Sequence, residues 1–149
     1  MIHETTDPAG ASELLASDPS AVYIDVRTVE EFEQGHPPGA YNIPILFRGS
    51  LGMQPNPDFA AVVTRCFAPT TRIVFGCKSG GRSARACELL ASQGYGRLVN
   101  MAGGFHGAFD DLGRPTVQGW AARGLPQERE APAERTWKGL SSGAEKPER

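Results

Sequence analysis

The sequence predicts an α/β fold, a three-layer sandwich with a small parallel central sheet flanked by helices. Three short runs rich in β-branched and aromatic residues, "AVYIDVR", "TRIVFGC" and "RLVNM", have the composition of buried strands. Helical patterns separate these runs, and strands that alternate with helices pair in parallel. The length of 149 residues fits one domain with a tail.

The first half of the chain starts with a short helix, "ASELLASDPS", which ends at a proline. The strand "AVYIDVR" follows. Thr28 and Glu31 then have the spacing of a capping box, which predicts a helix over "VEEFEQG". The stretch "GHPPGAYNIPI" predicts a turn and a short strand near residues 41–45. We interpret residues 46–57, which carry glycine and proline without a period, as a loop, and "DFAAVVTRCF" as a helix.

In the second half, the strand "TRIVFGC" leads through a glycine-rich loop into a helix, "SARACELLASQGYG". Its apolar face is predicted to contain Ala84, Cys87, Leu90 and Ala91. After the strand "RLVNM", the segment "AGGFHGAFDDLG" is interpreted as a tight glycine turn, without chemistry of its own, followed by a short helical segment. "GWAARGLP" then ends an expected domain of residues 1–126.

The last residues differ in composition from the rest of the chain. Nearly half of residues 127–149 are charged and few are apolar, which predicts a disordered C-terminal tail. Trp137 and Leu140 are apolar exceptions, so docking of these two side chains onto another surface stays open.

Composition excludes several classes of function. The formal net charge of -2 gives no support for nucleic-acid or membrane partners, and no apolar run approaches the roughly 20 residues of a membrane span. The N-terminus lacks the pattern of a signal peptide, so we expect a cytoplasmic protein. Three cysteines without a CxxC pair argue against a disulfide framework and a zinc site, and no metal or organic cofactor is implied.

The chemistry is expected at Cys77, the first residue after a buried strand and just before a helix. In open α/β sheets, ligands bind beyond the carboxyl ends of the strands. The helix N-terminus and two nearby cations, Lys78 and Arg82, favour a thiolate. Gly80 and Gly81 let the backbone turn its amides inward around an anion. Because the motif contains no histidine, no general base is evident. A tight turn with a buried cysteine is the structural alternative.

Five stretches resemble the rhodanese family of sulfurtransferases: "IDVRTVEEFEQGH", "PGAYNIPI", "IVFGCKSGGRSARACELL", "GYGRLVNMAGGF" and "GWAARGLP". They stand in the family's order and cover roughly residues 9–126. The resemblance implies a rhodanese-like fold and a thiosulfate sulfurtransferase type of activity. Such an enzyme moves a sulfane sulfur from thiosulfate or a persulfide donor to cyanide or a thiol acceptor through a persulfide, here on Cys77.

The resemblance also assigns roles to individual residues. Cys77 and the loop-closing Arg82 are the implied catalytic residues. The implied anion- and persulfide-binding loop comprises Lys78, Ser79, Gly80, Gly81 and Ser83. Asp25 and Arg27 match an Asp-x-Arg motif placed beside this loop. The alternative is a structural ion pair at the strand end, and for Asp25 we favour structural support over direct chemistry. His36 is expected to be a structural residue, and Pro37 stands where the family more often has isoleucine.

Two further functions stay open at this level. A persulfide carrier or interaction domain would hand sulfur to a partner protein, and the tail and residues 46–57 could dock it. A phosphatase on the same scaffold would need a Cys-x5-Arg loop, whereas this chain has the smaller Cys-x4-Arg. The remaining cysteines, Cys66 and Cys87, are interpreted as buried hydrophobic residues. The alternative is that one of them is a resolving thiol for Cys77.

Overall fold

A five-stranded parallel sheet forms the centre of the protein, in a computed structural model that describes residues 3–142. The strand order is β1-β7-β6-β2-β3, so the α/β prediction is confirmed. The strands of this sheet are β1 (Glu4–Thr6), β2 (Val22–Asp25), β3 (Tyr41–Asn42), β6 (Ile73–Gly76) and β7 (Leu98–Met101). Two antiparallel hairpins are added, β4 (Leu46–Gly49) with β5 (Gly52–Pro55) and β8 (Ala108–Phe109) with β9 (Pro115–Val117).

Helices cover both faces of the sheet. They are α1 (Pro8–Ser17), α2 (Val29–Glu33), α3 (Phe59–Cys66), α4 (Gly81–Ala91) and α5 (Trp137–Ser142), with a 3-10 turn at Ala133–Arg135. Alternate residues of the central strands enter two separate cores: Ile24 and Phe75 pack in one, Tyr23 and Val74 in the other. Two apolar cores, one on each side of a sheet, make the three layers.

The capping box predicted for α2 is present. The Thr28 hydroxyl accepts a hydrogen bond from the Glu31 amide at 3.2 Å, and a carboxylate oxygen of Glu31 accepts one from the Thr28 amide at 2.9 Å. These bonds satisfy two amides that the helix itself leaves unpaired. They also fix the position of Glu31, which matters for the site below.

Two segments, one predicted as a loop and the other as a short helix, are hairpins instead. Residues 46–57 are not a plain loop: β4 pairs with β5, and Gly52 turns the chain at a φ of +105°. Both faces of this hairpin are largely exposed, so its sequence shows no alternation of apolar and polar residues. The predicted helical segment after the glycine turn is also wrong. An Asp110 carboxylate oxygen accepts hydrogen bonds from the amides of Leu112 and Arg114, and the resulting turn joins β8 to β9.

Smaller corrections concern the ends of elements. The strand β1 was not predicted, because its three residues show no apolar pattern. The α4 helix begins at Gly81 rather than at a serine. It buries Ala86 instead of Ala84, together with Ser83, Cys87 and Leu90.

The expectation of a disordered tail from residue 127 is wrong for residues 127–142. Glu128 and His36 exchange two backbone hydrogen bonds, at 2.8 and 2.9 Å. Arg135 donates to the carbonyl of Ala40 at 3.0 Å and to Glu128 at 3.1 Å. Further on, Leu140 is buried in the core, and this burial stabilises a short helix that composition alone would not support.

Residues 143–149 lie outside the described part, and the division at residue 126 stays a prediction. No helix within residues 3–142 is long and apolar enough to cross a membrane.

Candidate active site

Cys77 lies at the carboxyl end of the central strand β6, between the sheet and α4. The preceding residue, Gly76, pairs with Asp25 at the end of β2. A Cβ atom on Gly76 would lie 1.7 Å from the hydroxyl oxygen of Tyr23, so a larger residue at this strand end would displace the buried Tyr23 side chain. The Cys77 side chain is 1% exposed. Its thiol therefore occupies a buried position at the end of the strand.

The sulfur of Cys77 accepts hydrogen bonds from two backbone amides, which we call the amide cradle: Gly80 N–H at 3.1 Å and Ser83 N–H at 3.3 Å. Gly80 has a φ of +125° and stands at the N-cap of α4. This backbone conformation, which favours glycine, turns its amide toward the sulfur. The cradle supplies partial positive charge at a helix N-terminus, where a sulfur anion is stabilised.

Ser83 supports the cradle through its side chain. Its hydroxyl lies 3.4 Å from the sulfur of Cys77 and 2.5 Å from the side-chain oxygen of Asn100. The Gly80 carbonyl, 3.1 Å away, also lies within reach of this hydroxyl, so the single proton of Ser83 has three candidate acceptors: Asn100, Gly80 and the Cys77 sulfur. Asn100 was not predicted as a site residue. The available signal was a single polar residue inside the apolar strand "RLVNM".

Arg82 does not point at the sulfur. Its guanidinium donates two hydrogen bonds to the carboxylate of Glu31, at 2.9 and 3.1 Å. Burial opposes ionisation of Glu31, but the hydrogen bonds from Arg82 and Thr28 outweigh it and lower the pKa of Glu31 to about 2. Burial likewise opposes the charge on Arg82, and Glu31 overcomes it and raises the pKa of Arg82. The pair links the 77–82 loop to the capping box of α2.

Asp25 and Arg27 form a buried ion pair at the end of β2. Arg27 donates to the Asp25 carboxylate at 2.9 and 2.7 Å, and to the carbonyl of Gly35 at 2.6 Å. The Arg27 guanidinium also lies 4.5 Å from the centre of the Phe105 ring. Burial opposes its charge, but Asp25 more than compensates and raises the pKa of Arg27. Within residues 3–142 neither side chain is hydrogen-bonded to the Cys77 sulfur, so the geometry fits a supporting role.

The turn at residues 103–106 holds the Cys77 loop from the other side. Three of its amides donate to loop carbonyls: Phe105 to Cys77 at 2.8 Å, His106 to Lys78 at 2.9 Å, and Gly103 to Ser79 at 3.1 Å. A Cβ atom on Gly104 would lie only 2.4 Å from the Cys77 carbonyl oxygen. The sequence prediction gave this turn no part in the site, but in the structure it holds the loop through three backbone hydrogen bonds.

Two predicted site residues are exposed on the solvent side of the Cys77 loop, which we call the mouth of the loop, whereas His36 is remote from it. Lys78 is exposed, and within residues 3–142 its ammonium group has no ion-pair partner. Gly81 is also exposed, and a Cβ atom added to it would meet no described atom within 4 Å. His36 is buried elsewhere: its ring stacks on Phe32 and its nitrogens contact the Phe32 carbonyl and Glu128.

Neither of the other cysteines is placed in the loop. Burial raises the pKa of Cys87 to about 12, and Cys66 packs against the edge of the core. A thiol with so high a pKa carries almost no thiolate at neutral pH, which argues against Cys87 as a resolving thiol.

Known proteins resemble this chain over most of its length. The Rhodanese-like domain family matches residues 7–110. Thiosulfate sulfurtransferase 16, chloroplastic, of Arabidopsis thaliana is 38% identical over 129 residues, which cover 85% of this chain and 98% of that protein. The mitochondrial Protein HIGH ARSENIC CONTENT 1 of the same plant is 41% identical over 83 residues, 56% of this chain and 49% of its own length. This chain therefore spans about half of that second relative.

Among solved structures, a crystal structure of an M. tuberculosis protein superposes with a TM-score of 0.71 and 30% identity. It covers 85% of this chain and 98% of that one. The organelle names of the plant relatives leave the cytoplasmic prediction unconfirmed. The match to residues 7–110, together with a full-length relative at 38% identity, shows that the chain belongs to the rhodanese-like domain family.

Proposed function

We propose that this protein is a sulfurtransferase that carries sulfane sulfur as a persulfide on Cys77. The observation that carries the proposal is the amide cradle, in which two backbone N–H groups point at the sulfur of a buried cysteine at a strand end. Such a site stabilises a sulfur anion without an adjacent base. The name of the full-length relative, thiosulfate sulfurtransferase, supports the same class of reaction.

In the first half-reaction, the Cys77 thiolate attacks the outer sulfur of thiosulfate. A new S–S bond forms at Cys77, the S–S bond of thiosulfate breaks, and sulfite leaves with the bonding electron pair. The charge of -3 on the reactants is the charge on the products, so no redox partner is needed. In the second half-reaction, cyanide or a thiolate attacks the outer sulfur of the persulfide, and Cys77 leaves as thiolate.

Three different groups would divide the work of the loop. The amides of Gly80 and Ser83 hold the sulfur. Lys78, exposed at the mouth, would attract an anionic donor as a solvated point charge. Arg82 is bound to Glu31, so its contribution is to fix the shape of the loop.

The test is intact mass spectrometry of the protein with and without thiosulfate. The wild-type chain should gain the mass of one sulfur atom, and cyanide should remove it. Cys77→Ser should gain nothing, because a hydroxyl supplies no comparable anion at neutral pH. Cys66→Ser is the matched control and should load like the wild type.

Residual cyanide-dependent turnover in Cys77→Ser would contradict the mechanism. Absence of loading in the wild type would exclude thiosulfate as the donor. Loading from a persulfidated protein should then be measured, and a chain that accepted sulfur from neither source would not be a sulfurtransferase.

A further inference from the structure

His106 lies at the mouth of the Cys77 loop, although no sequence motif placed it there. Its amide donates to the carbonyl of Lys78 at 2.9 Å, in the turn that supports the loop. The residue is exposed, and its ring packs against the edge of Phe105 at a centroid distance of 5.4 Å. The parts of the loop that reach solvent beside it are Lys78, Ser79 and Gly81. His106 is therefore one of the exposed side chains next to the Cys77 loop.

Within residues 3–142, neither ring nitrogen of His106 has a hydrogen-bond partner. His36 is the contrast, because both of its ring nitrogens contact acceptors in the protein interior. An exposed imidazole with free nitrogens can accept a proton from a molecule in the mouth.

Four charged groups act on this ring: Asp25 and Arg27 at the end of β2, Glu31 in α2, and Lys78 in the Cys77 loop. Burial, then the nearby cations Arg27 and Lys78, lower the pKa of His106, while Glu31 and Asp25 act in the opposite direction. The net effect favours the neutral imidazole at neutral pH, which is the form that a general base requires.

Resting on the proposed function, we propose that His106 is the general base that deprotonates a thiol acceptor in the second half-reaction. The acceptor thiol gives its proton to His106, and its sulfur attacks the outer sulfur of the Cys77 persulfide. The new S–S bond forms to the acceptor, the bond to Cys77 breaks, and Cys77 leaves as thiolate. His106 ends as imidazolium and releases the proton to water. The acceptors that need this step are thiols; the sulfite dianion, which carries no proton on its sulfur, does not.

The experiment separates loading from discharge. Wild type and His106→Gln are loaded with thiosulfate, freed of excess donor and checked by intact mass, which also shows that the variant's site is folded. Each is then discharged in a single turnover by 2-mercaptoethanol or by sulfite, between pH 6 and pH 9. His3→Gln, which removes a histidine outside the site, is the matched control.

We expect His106→Gln to slow discharge to 2-mercaptoethanol about 100-fold at pH 7, at the low end of the range for general-base catalysis. Discharge to sulfite should not change. The wild-type rate with the thiol should level off once His106 is neutral, whereas the variant's rate should keep rising with ionisation of the acceptor. Parallel pH profiles, or equal slowing with sulfite, would overturn the role of His106. Failure of both proteins to load would exclude thiosulfate as the donor, and failure to load from a persulfidated protein as well would overturn the proposed function itself.

Discussion

The ion pair between Glu31 and Arg82 should give the fold a measurable dependence on pH. Glu31→Gln removes the negative charge while keeping the size of the side chain. The pKa of Glu31 falls from an ordinary 4.5 to about 2, which corresponds to about 3 kcal/mol of stability at pH 7. Because the pair is partly open to solvent, with side chains 18% and 19% exposed, we expect about half of this, roughly 1.5 kcal/mol.

The sign of the dependence follows from the lowered pKa. A carboxyl whose pKa is lower in the folded state stabilises the fold fully above its unfolded pKa, here about 4.5, and progressively less as the pH falls toward 2. The difference in unfolding free energy between wild type and Glu31→Gln should therefore shrink by about 1 kcal/mol between pH 7 and pH 3.

Urea unfolding followed by circular dichroism at the two pH values measures this difference. Glu33→Gln removes the same charge from the exposed side of the same helix and should change stability little at either pH. A difference for Glu31→Gln that stayed constant between pH 7 and pH 3 would refute the ion pair as its source.

Four other substitutions or treatments test separate parts of the structure. Gly104→Ala should destabilise the fold by about 3 kcal/mol and impair sulfur loading, against about 1 kcal/mol for Gly113→Ala, which has a φ of +78° but open space around it; equal losses would refute the close contact with the loop. Asp25→Asn should cost about 3 to 5 kcal/mol in urea unfolding, because it leaves a buried arginine unpaired, and a loss under 1 kcal/mol would contradict this. Cys87 should resist iodoacetamide at pH 8 in the folded protein, and peptide mapping that found it alkylated would contradict its raised pKa. Lys78→Ala should raise the KM for thiosulfate, most at low salt; an unchanged KM would remove it from donor binding.

The strands β2, β6 and β7 were predictable from sequence because they are largely buried on both faces. A strand such as β6, buried at all four positions, must be a continuous apolar run, and such runs are visible in composition. The capping box of α2 was equally visible, because its hydrogen bonds join residues three apart. The two hairpins were not predictable in this way. Their strands are short and mostly exposed, so pairing leaves little apolar pattern in the sequence.

The position of the C-terminal segment depended on partners far away in the chain. Glu128 pairs with His36, and Arg65 donates a hydrogen bond to the carbonyl of Leu140. Composition reports only that the segment is charged. It cannot report that Glu128 and Arg135 have specific partners in the folded domain.

The same distinction between local and long-range contacts explains which residues of the candidate site the sequence predicted. Cys77, Gly80 and Ser83 lie within seven residues of one another, and their mutual geometry follows from a strand, a tight turn and a helix N-terminus. Asn100 and His106 come from the next strand and turn, and only the pairing of β6 with β7 brings them to the loop. Asn100 could have been suspected as a polar residue in a buried strand, but nothing local distinguishes His106.

The role of Arg82 shows how the structure changes a chemical interpretation. From sequence, Lys78 and Arg82 are two similar cations around a thiol. In the fold, Arg82 is held by two hydrogen bonds to Glu31, whereas Lys78 has no ion-pair partner within the described residues. A phosphatase loop must place its arginine on the phosphate oxygens, and here that would require breaking a partly buried, two-point ion pair. Backbone amides alone are enough to hold a single sulfur atom, so the geometry favours a loop that carries sulfur over one that binds phosphate.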